Sequence, residues 1–365
     1  MKVTIDDQAF TLQRRGGISR YFTELIGIFR SDPDFGVEPV TPFRFVVNEH
    51  LLELDPVRFR RARLPEIGQR NRVLRPLNRA VVRRRPEHRR LVHHTYYLPD
   101  ALRTPADARL CTIYDMTPEL FPELFPYGNP HQAKREYVDA CDAILCISQT
   151  TKDDLLATYG PQDKPVVVTP LGVSDPFFAE PVPGHHHGAG DYILYVGQRV
   201  GYKNFDVLVR AFQRIAAGRP SLSLICVGLP FDAAERARFE ELQLSGRVHH
   251  RVAGDDEMPA LFAGAACLVF PSRYEGFGLP IIEAYAAGCP VILADTPCSV
   301  EVGSTAAQFF APDDDEQLAA LVDQLVGDPA LRTRWIEAGR LRARDYTWRR
   351  TAELTATVYR SLATL

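Results

Sequence analysis

Two carboxylates separated by seven residues, Glu275 and Glu283, bracket the run Gly276-Phe277-Gly278-Leu279-Pro280. The run follows Cys267-Leu268-Val269-Phe270, an apolar stretch of the length of a buried strand. The two glycines let backbone approach a ligand closely, Pro280 suits the first turn of a helix, and Gly288 suits its C-cap. Strand, glycine loop and helix N-terminus together form an anion site, with amides and helix dipole aimed at phosphate. A carboxylate repels phosphate, so Glu275 and Glu283 are better read as acceptors for hydroxyl groups. Phosphates at the centre and hydroxyl-rich rings on either side describe a nucleotide sugar.

The block Pro271-Ser272-Arg273-Tyr274-Glu275-Gly276-Phe277-Gly278-Leu279-Pro280, with Glu283, resembles the E-x7-E signature of retaining glycosyltransferases of the GT-B fold. Among these it is most similar to glycosyltransferase family 4. The resemblance implies that Glu275 holds the donor sugar, that Glu283 holds the ribose, and that Gly276, Phe277, Gly278 and Leu279 line the donor. It also implies that Gly197, Arg199 and Lys203, which follow the apolar run Tyr192–Val196, meet the donor diphosphate. Fixed cations there would stabilise the charge gained by the departing nucleoside diphosphate. Backbone around Val252 is the expected base reader, and Gly16-Gly17 the expected glycine pair of the N-terminal half.

Two further polar clusters sit where strands should end. Leu91-Val92-His93-His94-Thr95-Tyr96-Tyr97 is a strand running into an aromatic loop, and Cys111-Thr112-Ile113-Tyr114-Asp115 repeats that arrangement. Open α/β sheets place ligands just beyond strand C-termini. In the resembling family a His ends the first of these strands, and alignment on Thr95-Tyr96-Tyr97 assigns that position to His93. Two readings of His93 stand: a group that hydrogen-bonds donor sugar or acceptor, and a satisfied core histidine. The second cluster departs from the family pattern, with Tyr114 in place of the usual His beside Asp115.

Positioning these residues requires alternating strands and helices, hence parallel sheets covered on both faces. Strands are expected at residues 2–5, 143–148, 166–168, 222–228 and 291–294, besides those above, and a strand with its loop at 248–254. The expected fold is α/β, of GT-B type: two Rossmann-like domains facing across a cleft, with a C-terminal helix returning to the first. The first domain spans 1–173 with helix 346–365 packed on it, anchored by Trp348, and the nucleotide-sugar domain spans 174–345. A Pro-, Gly- and His-rich stretch, 174–190, joins them; His185-His186-His187 there lacks carboxylate or thiolate partners, so no metal is expected.

The chain has 365 residues, 45% apolar and 24% charged, as in soluble globular proteins of about two domains. A net charge of −3 offers no global attraction to nucleic acid. Seven scattered cysteines set in apolar runs fit reduced core thiols and a cytoplasmic location. No signal peptide or membrane-spanning run is evident. Residues 58–90 hold thirteen arginines against Glu66 and Glu87. They fit a solvated helical face or a surface for anionic lipid or a diphosphate-bearing acceptor, with peripheral contact at the inner face of the cell membrane.

The resemblance implies a metal-independent, cofactor-free transferase. Tyr114-Asp115-Met116-Thr117-Pro118-Glu119 and Gly201-Tyr202-Lys203-Asn204-Phe205 look similar to bacterial mannosyltransferases of O-antigen and polysaccharide assembly, which implies GDP-mannose or a related GDP-sugar. The expected acceptor is a glycan or a polyprenyl-diphosphate-linked glycan of lipopolysaccharide type. The expected catalytic set is Glu275, His93, Arg199 and Lys203. A UDP-hexose donor and a catalytically idle scaffold of the same fold are the rival readings.

Overall fold

A computed structural model describes residues 1–62, 74, 76–78, 91–179 and 192–363. Most of the arginine-rich stretch (from Arg63 to Arg90) and His185–His187 therefore lie outside the described residues. The chain divides into two compact units, one made of Met1–Leu171 with Trp348–Leu365 and the other of Gly172–Thr347.

The first unit is built on six parallel strands: β1 (Lys2–Ile5), β2 (Glu38–Val40), β3 (Leu91–His94), β4 (Ala108–Ile113), β5 (Ala143–Cys146) and β6 (Val166–Val168). Their order across the sheet is β2-β1-β3-β4-β5-β6. All four residues of β3 and of β5 are buried, as expected of strands covered on both faces. A short helix α1 (Gln8–Leu12) precedes α2 (Gly17–Ser31). The α2 helix buries Tyr21, Phe22, Leu25, Ile26 and Phe29, a stripe repeating at helical spacing.

The C-terminal helix Trp348–Ala363 packs on α2 as part of this same unit. Trp348 is buried with its ring 6.1 Å from that of Tyr21, and the Thr351 hydroxyl donates to the Pro170 carbonyl at 2.6 Å. The expected return of the last helix to the first Rossmann-like unit is thus observed.

The second unit repeats the plan with β7 (Tyr192–Val196), β8 (Ser223–Val227), β9 (Val248–Arg251), β10 (Cys267–Phe270), β11 (Val291–Ala294) and β12 (Gln308–Phe310). All pairings are parallel and the order is β9-β8-β7-β10-β11-β12. Four helices matter below: α3 (Phe205–Ala216), α4 (Ala233–Glu241), α5 (Leu279–Ala286) and α6 (Asp315–Gly327). The apolar face of α3 sends Leu208 and Phe212 into a core shared with Tyr195, Leu224, Val269 and Leu318. Burying side chains of this size stabilises by about 1.5–3 kcal/mol each, so the sheet ends rest on a rigid base.

All seven cysteines are buried, free thiols. No helix among the described residues is long and apolar enough to cross a membrane.

Candidate functional site

In each sheet the chain reverses its direction of travel between two neighbouring strands, β1 and β3 in the first unit and β7 and β10 in the second. Such a reversal leaves a crevice beyond the strand C-termini, where open α/β sheets bind ligands.

In the second unit, β7 is followed by Gly197 at φ 142°, and the loop closes with a 3-10 turn, Gly201–Lys203. Asn204 follows in the left-handed region, φ 53°, and starts α3. From the other side of the reversal, β10 leads through Glu275 to Gly278, the N-cap of α5. Gly278 has φ 94°, and a Cβ there would lie 2.8 Å from Ile281 Cδ1, so both backbone angle and space call for glycine. Pro280 lies in the first turn of α5 and Gly288, at φ 74°, just past its end, as their residue types suggested.

The two loops meet through Lys203 and Glu275, seventy-two positions apart: Nζ donates to Oε1 at 2.6 Å and to Oε2 at 2.8 Å. Their side chains keep 18% and 14% of their exposure, so the pair is half-buried but reachable. Gly276 and Phe277 are buried, and Cys298 Sγ donates to the Phe277 carbonyl at 3.1 Å. Glu283 lies on α5 and is buried, while Leu279 is half-buried. Val252 follows β9 on an exposed loop.

Arg199 goes elsewhere. Its Nε and Nη2 donate to the Glu235 carboxylate, and Nη2 also to the carbonyls of Leu229 (2.8 Å) and Pro230 (3.0 Å). The guanidinium is wedged near the rings of Phe231 and Phe205, 4.8 and 5.8 Å from their centroids. Burial opposes its charge, but the Glu235 hydrogen bond and charge more than compensate, raising its pKa. Arg199 and Lys203, both expected at the donor diphosphate, are thus held in two separate ion pairs. The reason is local: Glu235 is already oriented by a capping box with Asp232 at the start of α4.

In the first unit, the reversal brings Asp6, just after β1, against the end of β3. His94 Nδ1 donates to Asp6 Oδ2 at 2.8 Å, the Thr95 amide and hydroxyl to Oδ1 at 3.0 and 2.6 Å, and Gln8 Nε2 to Oδ2 at 2.6 Å. Burial by itself would raise the Asp6 pKa, but the His94 hydrogen bond and charge, with Thr95 and Gln8, hold it below the usual carboxylate value. His94 Nε2 is buried and has no hydrogen-bond partner among the described residues.

His93 is the satisfied core histidine of the two readings. It points to the opposite sheet face from His94, as neighbours on a strand must. Its ring nitrogens lie 2.7 Å from the Tyr359 hydroxyl and 2.8 Å from Thr112 Oγ1, and its ring packs edge-on to Phe22. Complete burial pushes its pKa down to about 3. His93 has no exposed surface, and both its nitrogens are engaged inside the first unit. The residue at the strand end that retains an unused nitrogen is His94.

Gly17 is the exposed first residue of α2, and α1 separates it from β1. Gly16, the N-cap, has φ 173°, an extended angle open to any residue.

Residues 183–342, inside the second unit, match the family model described as glycosyl transferases group 1. An O-antigen chain mannosyltransferase B of Escherichia coli is 26% identical over 322 residues, covering 82% of this chain and 81% of that protein. Among solved structures, a sucrose-phosphate synthase from Thermosynechococcus elongatus matches with a TM-score of 0.76 at 21% identity, over 100% of this chain and 99% of that one. An Anabaena protein crystallised with UDP and glucose matches with a TM-score of 0.73 at 17% identity, over 100% of both chains. The second unit is thus similar over most of its length to the glycosyl transferases group 1 model, and the two Rossmann-like units have the fold of GT-B glycosyltransferases.

Proposed function

We propose that this chain is a retaining, metal-independent glycosyltransferase of the family 4 type, moving a hexose from a nucleotide sugar to a glycan or lipid-linked glycan. The observation that carries the reading is the meeting of Lys203 and Glu275 at the reversal of the second sheet, beside the glycine-capped start of α5. Lys203, the α5 N-terminus and the adjoining amides would take the donor diphosphate. Glu275 would take sugar hydroxyls and Glu283 those of the ribose.

In the ligand-free protein Lys203 is the counter-ion of Glu275. A bound diphosphate would draw the ammonium to itself and leave the carboxylate for the sugar. As the glycosidic bond breaks, the leaving oxygen gains charge, and a cation already in place lowers that barrier without reorganisation. Front-face substitution is proposed, with the departing diphosphate accepting the acceptor's proton. The acceptor is assigned to the first unit, where His94, Asp6 and Thr95 mark the sheet end.

Mannose from a GDP-sugar is the favoured donor, because the O-antigen mannosyltransferase of Escherichia coli aligns over most of this chain. A UDP-hexose is the second reading, favoured by the fold match to the Anabaena protein solved with UDP and glucose. Polysaccharide or O-antigen assembly, at the cytoplasmic face of a membrane, is the proposed setting.

A thermal-shift panel of GDP- and UDP-sugars tests this. A ligand bound only by the folded state at one hundred times its Kd stabilises by about 2.7 kcal/mol, enough to raise Tm by several degrees. GDP-mannose should give the largest shift. A larger shift with a UDP-hexose would move the donor assignment, and no shift with either class would end the proposal.

A further inference from the structure

The Lys203–Glu275 pair sits inside a ring of three loops. The loop after β7 is tied to the loop after β10 by the Arg273 amide, which donates to the Tyr202 carbonyl at 2.8 Å. The loop after β10 is tied to the loop after β12 by the Arg273 guanidinium, whose Nη1 and Nη2 grip both oxygens of Asp313. The loop after β12 is tied back to the first by Asn204 Nδ2, which donates to the Pro312 carbonyl at 2.6 Å. Each knot lies one or two residues from Lys203 or Glu275.

The third loop is itself anchored. Asp314 caps α6 by accepting from the Gln317 amide at 2.8 Å. Gln317 Oε1 in turn accepts from the Ala311 amide at 2.7 Å, and Asp315 is bridged to Arg210 and Arg214 of α3. Asp313 therefore projects from fixed backbone. Asn204 is equally constrained, 8% exposed and held in the left-handed region, which asparagine tolerates better than most residues.

The Arg273–Asp313 pair is mostly open to solvent, with the two side chains 42% and 75% exposed. An exposed ion pair stabilises a fold little. It can still decide where a loop rests, because a bidentate guanidinium–carboxylate contact fixes orientation as well as distance.

We infer that Asp313, acting through Arg273, is a positioning residue that presets the Lys203–Glu275 geometry, with Asn204 as the second tether. The inference rests on the proposal that this pair handles the donor. Its structural half stands apart from that proposal, since it concerns only what holds the loops. Misplacement of a reacting group by about 1 Å can lower a rate by two orders of magnitude, so a modest loosening should be visible in turnover.

Hydrogen exchange separates the two halves. In Asp313→Ala, amides of residues 202–204 and 273–276 should exchange at least about fivefold faster than in the parent, with the amides of β7 and β10 unchanged. Asp313→Glu should restore most of the protection. Equal exchange in parent and Asp313→Ala overturns the inference, whether or not the chain transfers sugar.

With an active donor in hand, Asp313→Ala should lower kcat about tenfold, with KM and nucleotide-binding stoichiometry within about twofold of the parent. The charge-exchanged Arg273→Asp, Asp313→Arg double variant should recover much of that rate. A parent-like kcat in Asp313→Ala, measured beside a Glu275→Gln control that has lost turnover, would also sink the positioning role.

Discussion

At the sheet reversal of the first unit, Asp6 accepts from Gln8, His94 and Thr95, all three almost wholly buried. At the equivalent point of the second unit, Glu275 accepts both its contacts from the tip of a lysine, and both partners keep part of their exposure. One carboxylate is bound into the fold by donors that sit at its own sheet end. The other is held by the end of a long, flexible side chain, which a bound diphosphate would redirect on the reading proposed above. The same topology thus yields a buried cluster in one unit and a partly exposed ion pair in the other. The difference comes from what the loops carry, since the strands supply only the crevice.

Three substitutions probe that contrast. Glu275→Gln should lower turnover by about a hundredfold or more, the scale seen when one transition-state contact is removed. Its Tm should stay close to the parent's, as a half-buried pair at a loop end adds little to folding. A large loss of Tm with turnover retained would invert the two roles.

Asp6→Asn should do the opposite. Hydrogen bonds to a charged group are worth about 1.5–3 kcal/mol, so loss of the carboxylate should cost roughly 2–3 kcal/mol of stability in urea unfolding. A neutral result would show that the first cluster is not a fold element.

The third test concerns His93, and it is a matter of pH. Because burial holds its pKa near 3, the folded state keeps it neutral, whereas the unfolded chain protonates it below about 6.5. Stability is therefore lost as pH falls from about 6.5, by at most about 1.4 kcal/mol per pH unit. Between pH 6.5 and 4.5 this loss precedes the one from Asp6, whose depressed pKa withdraws its contribution only as carboxylates protonate. His93→Gln should flatten the Tm profile in that window. An unchanged slope would show that His93 is not the group titrating there.

Much of the architecture is legible in the sequence because strand, turn and helix signals are local. The runs at 2–5, 192–196, 267–270 and 291–294 are strands as expected, and Pro280 and Gly288 bracket α5. The edge strands β2 and β12, three residues each, go unread, since runs that short carry no periodicity and β2 contains Pro39. Within the acidic run Asp313–Glu316 the roles divide by position: Asp314 caps α6, whereas Asp313 reaches Arg273.

The sequence by itself determined which residues lie in loops beyond strand ends, because alternation of apolar runs with glycine and proline is a property of neighbours. It also marked Glu275, Gly278 and Lys203 as residues placed for anion and hydroxyl chemistry. Only the tertiary structure decided which charges meet. Lys203 and Glu275 lie 72 positions apart, and Arg199 turns from them to Glu235, 36 positions away. His93 and His94 are indistinguishable locally, yet the hydroxyl of Tyr359, 266 residues later, seals one and leaves the other with an unused nitrogen. Long-range packing sets such choices because a side chain's partner is fixed by which backbone segments the core brings together, and no window of adjacent residues contains that information.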